Sequence, residues 1–453
     1  LEHNPRFNPV TPYRMSKLEV DRDVAPLADD DFSPTFLRAS TAYGMSPRIR
    51  FDLVVNNLTA WAYTTGEVYL KSDGSPWRPI VHVEDIARAY VAAVEAPREQ
   101  IHGQAFNVGT TAENYQIREL AEIIARMLDN DPEAVLDQAW FETRLMRALS
   151  LRQRLFDAPY YRLVHAESDG LPGVIIDRFG DTCVIQPNAA WAEVHIDMMA
   201  AALVAVTGCA NVLKNAGGRT RTLEGLDEVS GVLVGQAPDG PLPVPMNGAT
   251  YMADLTGGQK TGLFYDQRPN HAFAAGLAKG ARVLDVFSHV GGFGLACLAN
   301  GAASALAVDG SAPALDLAQK GAEATGVADR FSTRQGDAFD VLTALRAEGA
   351  EFDVVICDPP AFAPSRPALD AGLRAYERIA RLAAPLVAEN GILGLCSCSH
   401  AADLSAFRTA SVRGIGRAGR QAALIHTGFA GPDHPLLPQL AESGYLKSLF
   451  FRL

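Results

Sequence analysis

The chain has 453 residues, 48% of them hydrophobic, and its 52 acidic against 40 basic side chains give a formal net charge of −12. That length accommodates about two or three domains with sizeable cores, and the acidic balance argues against a protein that coats nucleic acid while leaving room for a local basic face. No run of about 18 apolar residues passes without a charge, so no membrane span is expected. The opening LEHNPRFNPV lacks the basic-then-apolar order of a signal peptide, and 6 cysteines are too sparse for a secreted disulfide framework. A reducing, cytoplasmic setting is expected.

Residues 1–122 form the first expected domain. TPYRMSK (11–17) places Tyr13 and Lys17 four apart on one face of a helix, where an ammonium can lower a phenol's pKa and make it a base. FLRASTAYGMSPRIRFDLVVNNL (36–58), WRPIVHVEDIARAYVAAVE (77–95) and AFNVG (105–109) follow. The run resembles the C-terminal part of extended short-chain dehydrogenases, the NAD-dependent nucleotide-sugar epimerases and dehydratases. The resemblance implies Tyr13 as acid/base and Lys17 as its partner. It also implies a Gly-rich strand–turn–helix for the cofactor's pyrophosphate, and none precedes the motif. NAD is therefore not expected, and the pair reads as vestigial. A remnant that lacks the first strands of its own sheet exposes an edge or changes its pairing, so lower stability is expected here than in the rest.

IRELAEIIARMLDNDPEAVLDQAWF (117–141) begins like the tail of that family and departs from it within the helix, which predicts a junction between two families. The second expected domain, 123–250, is a small α+β unit. In it, FETRLMRALSLRQRLF (141–156) puts Arg144, Arg147 and Arg154 on one arc and Leu145, Leu149 and Phe156 on another. A solvated basic face and an RNA-contacting stripe both fit.

From 251 to 453 the pattern alternates. RVLDVFS (282–288) is a β-branched apolar run, VGGFGLACLANGA a glycine turn opening a helix, and ALAVDG (305–310) a second strand ending in an acid. APALDLAQKGAEATG is an amphipathic helix closed by Gly326, FSTRQGDAF a third strand and turn, and FDVVICDPP (352–360) a fourth strand. A helix is expected over about 368–388, and GILGLCSCSH (391–400) holds the fifth strand. Apolar strands alternating with helices predict an α/β fold with a parallel, doubly wound sheet, which binds ligands at the carboxyl ends of its strands. Those ends carry Asp285 with Gly291 and Gly292, then Asp309, Asp337 and Asp358, and last Cys396 and Cys398. A C-x-C spacing suits neither a zinc site nor an unstrained disulfide, and no metal is expected. Core packing and nucleophilic catalysis remain.

VLDVFSHVGGFG resembles motif I of class I S-adenosylmethionine (SAM) methyltransferases. The resemblance implies Asp309 on the ribose hydroxyls and Asp337 on the adenine amino group, with Lys260, Thr261, Gln267, Arg268, Asp285, Gly291, Gly292 and Asp358 completing the cofactor pocket. A finer match follows from YRLVHAESDGLPGVIIDRFGD (161–181), GGQKTGLFYDQR (257–268), DPPAF (358–362), CSCSH (396–400), DHP (433–435) and ESGYLK (442–447) in this order. Together they resemble the bacterial large-subunit ribosomal RNA cytosine-5 methyltransferase family, over about residues 123–453. That family carries a PUA domain, a central β-rich domain and a methyltransferase domain. Here the PUA domain has no counterpart, and Val290 stands where the family usually has Thr. The resemblance implies Cys398 as the nucleophile, Asp358 at the pyrimidine edge and ribosomal RNA as partner. Cys396, Cys357, Cys183, Cys209 and Cys297 read as packing residues, and His400 either polarises the thiol or caps its loop. Relatives that methylate guanine need no thiol at position 398, so that cysteine separates the two readings. A nucleotide-sugar epimerase or dehydratase is the alternative from another class.

Overall fold

The β-branched apolar runs RVLDV and FDVVIC in the C-terminal half form strands. The computed structural model describes residues 12–453, apart from 45, 47–49, 66–69, 71–72, 111–112, 129–134, 219–220, 223–225, 258–261 and 438–443. The chain divides into two units, Leu1–Val135 and Leu136–Leu453.

The second unit is built on a seven-stranded sheet. In chain order its elements are β1 (Arg282–Val286), α1 (Gly292–Ala299), β2 (Ser304–Asp309), α2 (Ala312–Thr325), β3 (Phe331–Gln335), α3 (Ala338–Ala347), β4 (Phe352–Cys357), α4 (Leu369–Ala383), β5 (Val387–Ser397), α5 (Leu404–Arg417), β6 (Ala423–Gly428) and β7 (Lys447–Arg452). The strand order is β3-β2-β1-β4-β5-β7-β6, so the winding reverses between β1 and β4. Pairing is parallel from β3 through β5, whereas β7 runs antiparallel to both β5 and β6. The parallel, doubly wound core is as expected, and the antiparallel β7 and β6 extend it at one side. Successive side chains point to opposite faces. Val283, Val354, Ile356 and Phe450 enter one core, while Leu284, Val286, Val355, Leu393 and Phe451 enter the other. Full burial of each large apolar side chain contributes about 1.5–3 kcal/mol.

Caps set several boundaries. Ser311 accepts from the Ala314 N–H to open α2, and Gly326 closes it in the left-handed region, as its sequence predicts. The helix expected to reach residue 388 stops at Ala383, because Pro385 offers no N–H to continue it and Ala384–Leu386 tightens into a 3₁₀ turn.

Upstream in the same unit lies a second sheet, with strands Gly231–Val234, Asn211–Lys214, Thr182–Pro187, Val174–Phe179 and Tyr160–His165 in spatial order. Helices Gln138–Leu155 and Ile196–Thr207 pack on each other beside it. The hairpin Leu242–Met246/Ala249–Ala253 packs on α2, and its Val244, Met246 and Tyr251 share one core with Val283 and Phe179. A boundary at 250 therefore cuts through a hairpin and a continuous core.

The first unit is thinner. Its strands form a parallel pair, Phe36–Ala39 with Ala105–Val108, and a three-stranded sheet of Thr41–Tyr43, Trp77–His82 and Asn114–Gln116. Helix Ile117–Leu128 packs on Val54–Thr65, so this unit extends past residue 122. Its core is small: Leu58, Ala62, Ile80, Leu120, Ala121 and Ile124. Helix Val83–Glu95 is amphipathic yet buries no residue, leaving Tyr90, Val91 and Val94 exposed. Few buried apolar contacts mark the low-stability end of a structure. Limited proteolysis is expected to degrade this unit first and leave a resistant fragment starting between Leu128 and Leu136, read by mass spectrometry. Equal resistance along the chain would contradict this.

Candidate active site

The glycine turn after β1 is under backbone strain. Phe287 (φ 61°) and His289 (φ 50°) both occupy the left-handed region, where a bulky side chain costs energy, and Gly291 (φ 83°) occupies it freely. Surrounding bonds hold the turn: Ser288 N–H to the Val308 carbonyl (3.0 Å), Gly291 N–H to the Ser288 carbonyl (2.8 Å), and His289 N–H to Asp309 Oδ2 (2.9 Å). A Cβ on Gly292 would lie 2.8 Å from His271 Nε2, so the helix start needs a glycine there. Val290 is buried in the apolar core, which accounts for an apolar residue in place of a hydroxyl.

Asp285 lies fully buried beneath this turn. Its Oδ2 accepts from the Gly294 N–H (2.8 Å), and burial pushes its carboxyl up to about 7. Its Oδ1 and the Ser288 Oγ are buried polar atoms without a partner among the described residues. Orphaned acceptors beside a cradle that only glycine fits are what a bound cationic, hydrogen-bonding ligand would satisfy. At the end of β2, Asp309 spends Oδ2 on His289 and Oδ1 on the Ser311 N–H (2.8 Å), bridging the turn to α2. Asp337 is exposed and caps α3 through Oδ1, which accepts from Phe339 and Asp340. The donor set is chemically compatible with SAM: Asp285, Ser288, Gly291 and Gly292 would hold its amino acid end, and Asp309 and Asp337 its nucleoside.

The other expected pocket residues divide. Lys260 and Thr261 lie outside the described residues. Gln267 is buried behind β5, where its Oε1 accepts from Asn270 (2.7 Å) and Ser448 (3.4 Å). Arg268 donates to the Tyr160 carbonyl and stacks 4.3 Å over the Phe156 ring. Its charge thereby stitches the upstream sheet to the core. The side chains of Tyr13 and Lys17 also lie outside the described residues.

The cysteine pair splits at the end of β5. Cys396 is buried and its Sγ accepts from the Ser448 Oγ (3.2 Å), which makes it a packing residue. Cys398 sits just past the strand, half-buried, with Sγ 4.0 Å from the Pro359 carbonyl oxygen. A hydroxyl cluster pins this loop to the DPPAF loop. Ser397 donates to Tyr376 Oη (2.9 Å), Tyr376 Oη and Ser399 Oγ share a bond (2.7 Å), and the Ala363 N–H donates to Ser399 Oγ (2.9 Å). Asp358, half-buried, is fixed through its N–H to the Val286 carbonyl (3.1 Å). His400 is exposed and packs 5.5 Å from the Tyr445 ring, while Tyr445 donates to Asp266 Oδ2 (2.6 Å). Cys357 is buried, and burial pushes its thiol well above the ordinary range. Cys183, Cys209 and Cys297 are buried too.

The basic arc is uneven. Arg147 and Arg154 are exposed, but Arg144 lies 3.6 Å over Trp140 and donates to the Gly170 carbonyl. Sequence reasoning missed Arg152 on the same helix. It is fully buried and forks onto Asp169 (2.6 and 2.7 Å), with further bonds to the carbonyls of Arg162 and Asp433. Its neighbour Arg162 pairs with buried Asp177 (2.8 and 2.9 Å). The DHP and ESGYLK stretches, quoted as motifs but given no role, held the signal: Asp433, Tyr445 and Lys447 come from them.

Comparison with known proteins gives the family. Residues 219–452 match the S-adenosylmethionine-dependent methyltransferase family. Residues 2–109 match the NAD dependent epimerase/dehydratase family. Among curated relatives, the ribosomal RNA large subunit methyltransferase I of Aeromonas hydrophila is 37% identical over 73% of this chain and 85% of its own length. The protein of the same name from Aeromonas salmonicida is 36% identical, over 73% and 85%. A Streptococcus mutans structure assigned as a SAM-dependent methyltransferase superposes with TM-score 0.62 at 23% identity, over 71% of this chain and 84% of that one; it shows the fold alone.

Proposed function

The chain belongs to the S-adenosylmethionine-dependent methyltransferase family, and from that premise we propose that it methylates C5 of a cytosine in large-subunit ribosomal RNA through a covalent adduct on Cys398. Cytosine C5 is a weak nucleophile. Addition of the Cys398 thiolate to C6 makes an enamine whose C5 is electron-rich. Asp358 holds the pyrimidine edge near N3 and N4, where charge develops. SAM supplies the methyl group when bound. Loss of the C5 proton to a base, with elimination of the thiolate from C6, restores the ring and the free enzyme. Exposed Arg147 and Arg154 face outward for phosphate contacts.

The observation that carries this reading is the half-buried thiol beside the Pro359 carbonyl, at the rim where the glycine turn also opens. The names of the relatives support the RNA. Incubation with labelled SAM and unmodified ribosomal RNA, followed by nucleoside analysis, is expected to put the label in 5-methylcytidine. Label in 7-methylguanosine instead would overturn the product.

A further inference from the structure

We propose that Lys447 is the counter-cation of the Cys398 thiolate and the clamp that fixes the loop carrying it, a positioning role that rests on Cys398 being the nucleophile. Lys447 opens β7 and pairs across the ladder with Ser397, the residue before the thiol. Its ammonium donates to the Ser399 carbonyl and to the Ala402 carbonyl, both at 2.7 Å. The loop that begins with Cys398 is thus wound around one charged nitrogen. Lys447 is 4% exposed, and both of these acceptors are neutral. Neutral carbonyls do not balance the charge of a buried ammonium, and removing a charge from water is costly, so a nearby anion is favoured.

The electrostatics run in the direction this requires. Burial pushes the Lys447 ammonium down, and negative charge at Cys398, then at Asp403, pushes it back up. Coupling of two charges is mutual, so the ammonium favours the thiolate to the same extent. Asp403 uses its Oδ1 to cap α5 at the Ala406 N–H (2.7 Å). Among the described residues, Tyr445 on the segment entering β7 and Tyr376 on α4 couple to the thiol, Asp358 precedes the Pro359 whose carbonyl the thiol meets, and His400 lies in the same loop. The tyrosines and acids among them can supply no positive charge. A free thiol titrates at about 8.5, and a nucleophilic one needs a nearby cation to be ionised at neutral pH.

The test is alkylation of Cys398 by iodoacetamide across pH 6–10 in the full chain without RNA, followed by peptide mass spectrometry. The other five cysteines are buried, so the site is resolved cleanly. In the wild type the Cys398 profile is expected to have its midpoint below about 8.5. In Lys447→Met it is expected to move up by about one unit, cutting alkylation at pH 7 roughly tenfold. Lys447→Arg is expected to keep most of the wild-type profile, and the acidic limb of the kcat profile to move with the thiol. A wild-type midpoint at or above the free-thiol value overturns the proposal without any variant. So does a Lys447→Met profile identical to wild type in a protein of unchanged melting temperature. The two readings fail separately: a Cys398→Ala enzyme that still transfers methyl would remove the nucleophile, whereas an unshifted thiol titration would remove only Lys447.

Discussion

Cys398→Ala is expected to lower methyl transfer by at least about 10³ in kcat, because no alternative group can make the C6 adduct and uncatalysed C5 attack is far slower. SAM affinity is expected to stay at the wild-type value, since Cys398 is not among the residues expected to hold the cofactor. Isothermal calorimetry with SAM alongside a labelled-methyl assay reads the two quantities separately. RNA bearing 5-fluorocytosine adds a direct readout. Fluorine at C5 cannot leave as a proton does, so the adduct should persist through denaturation with the wild type and be missing with the variant. Cys396→Ala makes the contrast. That sulfur is sealed against Ser448 behind the strand, so the cost should fall on stability and leave kcat nearly intact. Transfer at the wild-type rate by Cys398→Ala would end the covalent mechanism.

β1, β2, β4 and β5 were legible because a parallel sheet buries both faces and the chain then writes such a strand as a largely apolar run, whereas β3, FSTRQ at the edge, was placed by its position in the alternation. The same topology gathers every carboxyl end on one rim, which is why Asp285, Asp309, Asp337, Asp358 and Cys398 could be grouped before any side chain was placed. β6 and β7 were not legible. β6 is an edge strand with Ala423, Leu424 and Ile425 exposed, and β7 opens with a lysine whose burial depends on a loop 45 or more residues earlier in the chain. Gln267 and Arg268 were grouped with the cofactor pocket from their motif, but their directions follow from how helix Arg268–Leu277 starts and what packs on it. Spacing along a sequence carries no information of that kind. The first unit shows the opposite limit. Its resemblance was readable over most of its length, yet its amphipathic helix Val83–Glu95 buries nothing, because a periodic pattern states what a helix could bury and not whether a partner surface is present.

Arg152→Ala is expected to produce the largest loss of stability in the Leu136–Leu453 unit. Helical periodicity makes Arg152 look like one more basic residue among Arg144, Arg147 and Arg154, but the structure gives it no exposure at all. Its fork satisfies both oxygens of Asp169, and Asp169 Oδ2 also accepts from the His165 N–H (2.7 Å). Its remaining bonds reach the Arg162 carbonyl in the upstream sheet and the Asp433 carbonyl in the DHP turn. Asp433 in turn accepts from the Arg162 N–H (3.1 Å) and shares a bond with His434 Nδ1 (2.9 Å). One guanidinium therefore joins the first strand of the upstream sheet, the turn at Asp169 and the DHP turn, which is 281 residues away in sequence. Truncating it strands a nearly buried carboxylate and two carbonyls, and breaking one side of a buried pair costs about 3–5 kcal/mol. For a unit of this size that is a fall in melting midpoint on the order of 5–10 °C. Lysine should not rescue it, because an ammonium cannot present the parallel fork that the two Asp169 oxygens accept. Arg147→Ala and Arg154→Ala, on the exposed side of the same helix, should stay within about 0.5 kcal/mol of wild type. Differential scanning calorimetry of the four variants separates a buried junction from a solvated stripe, and an Arg152→Ala protein that melts with Arg147→Ala would show that the junction contributes nothing.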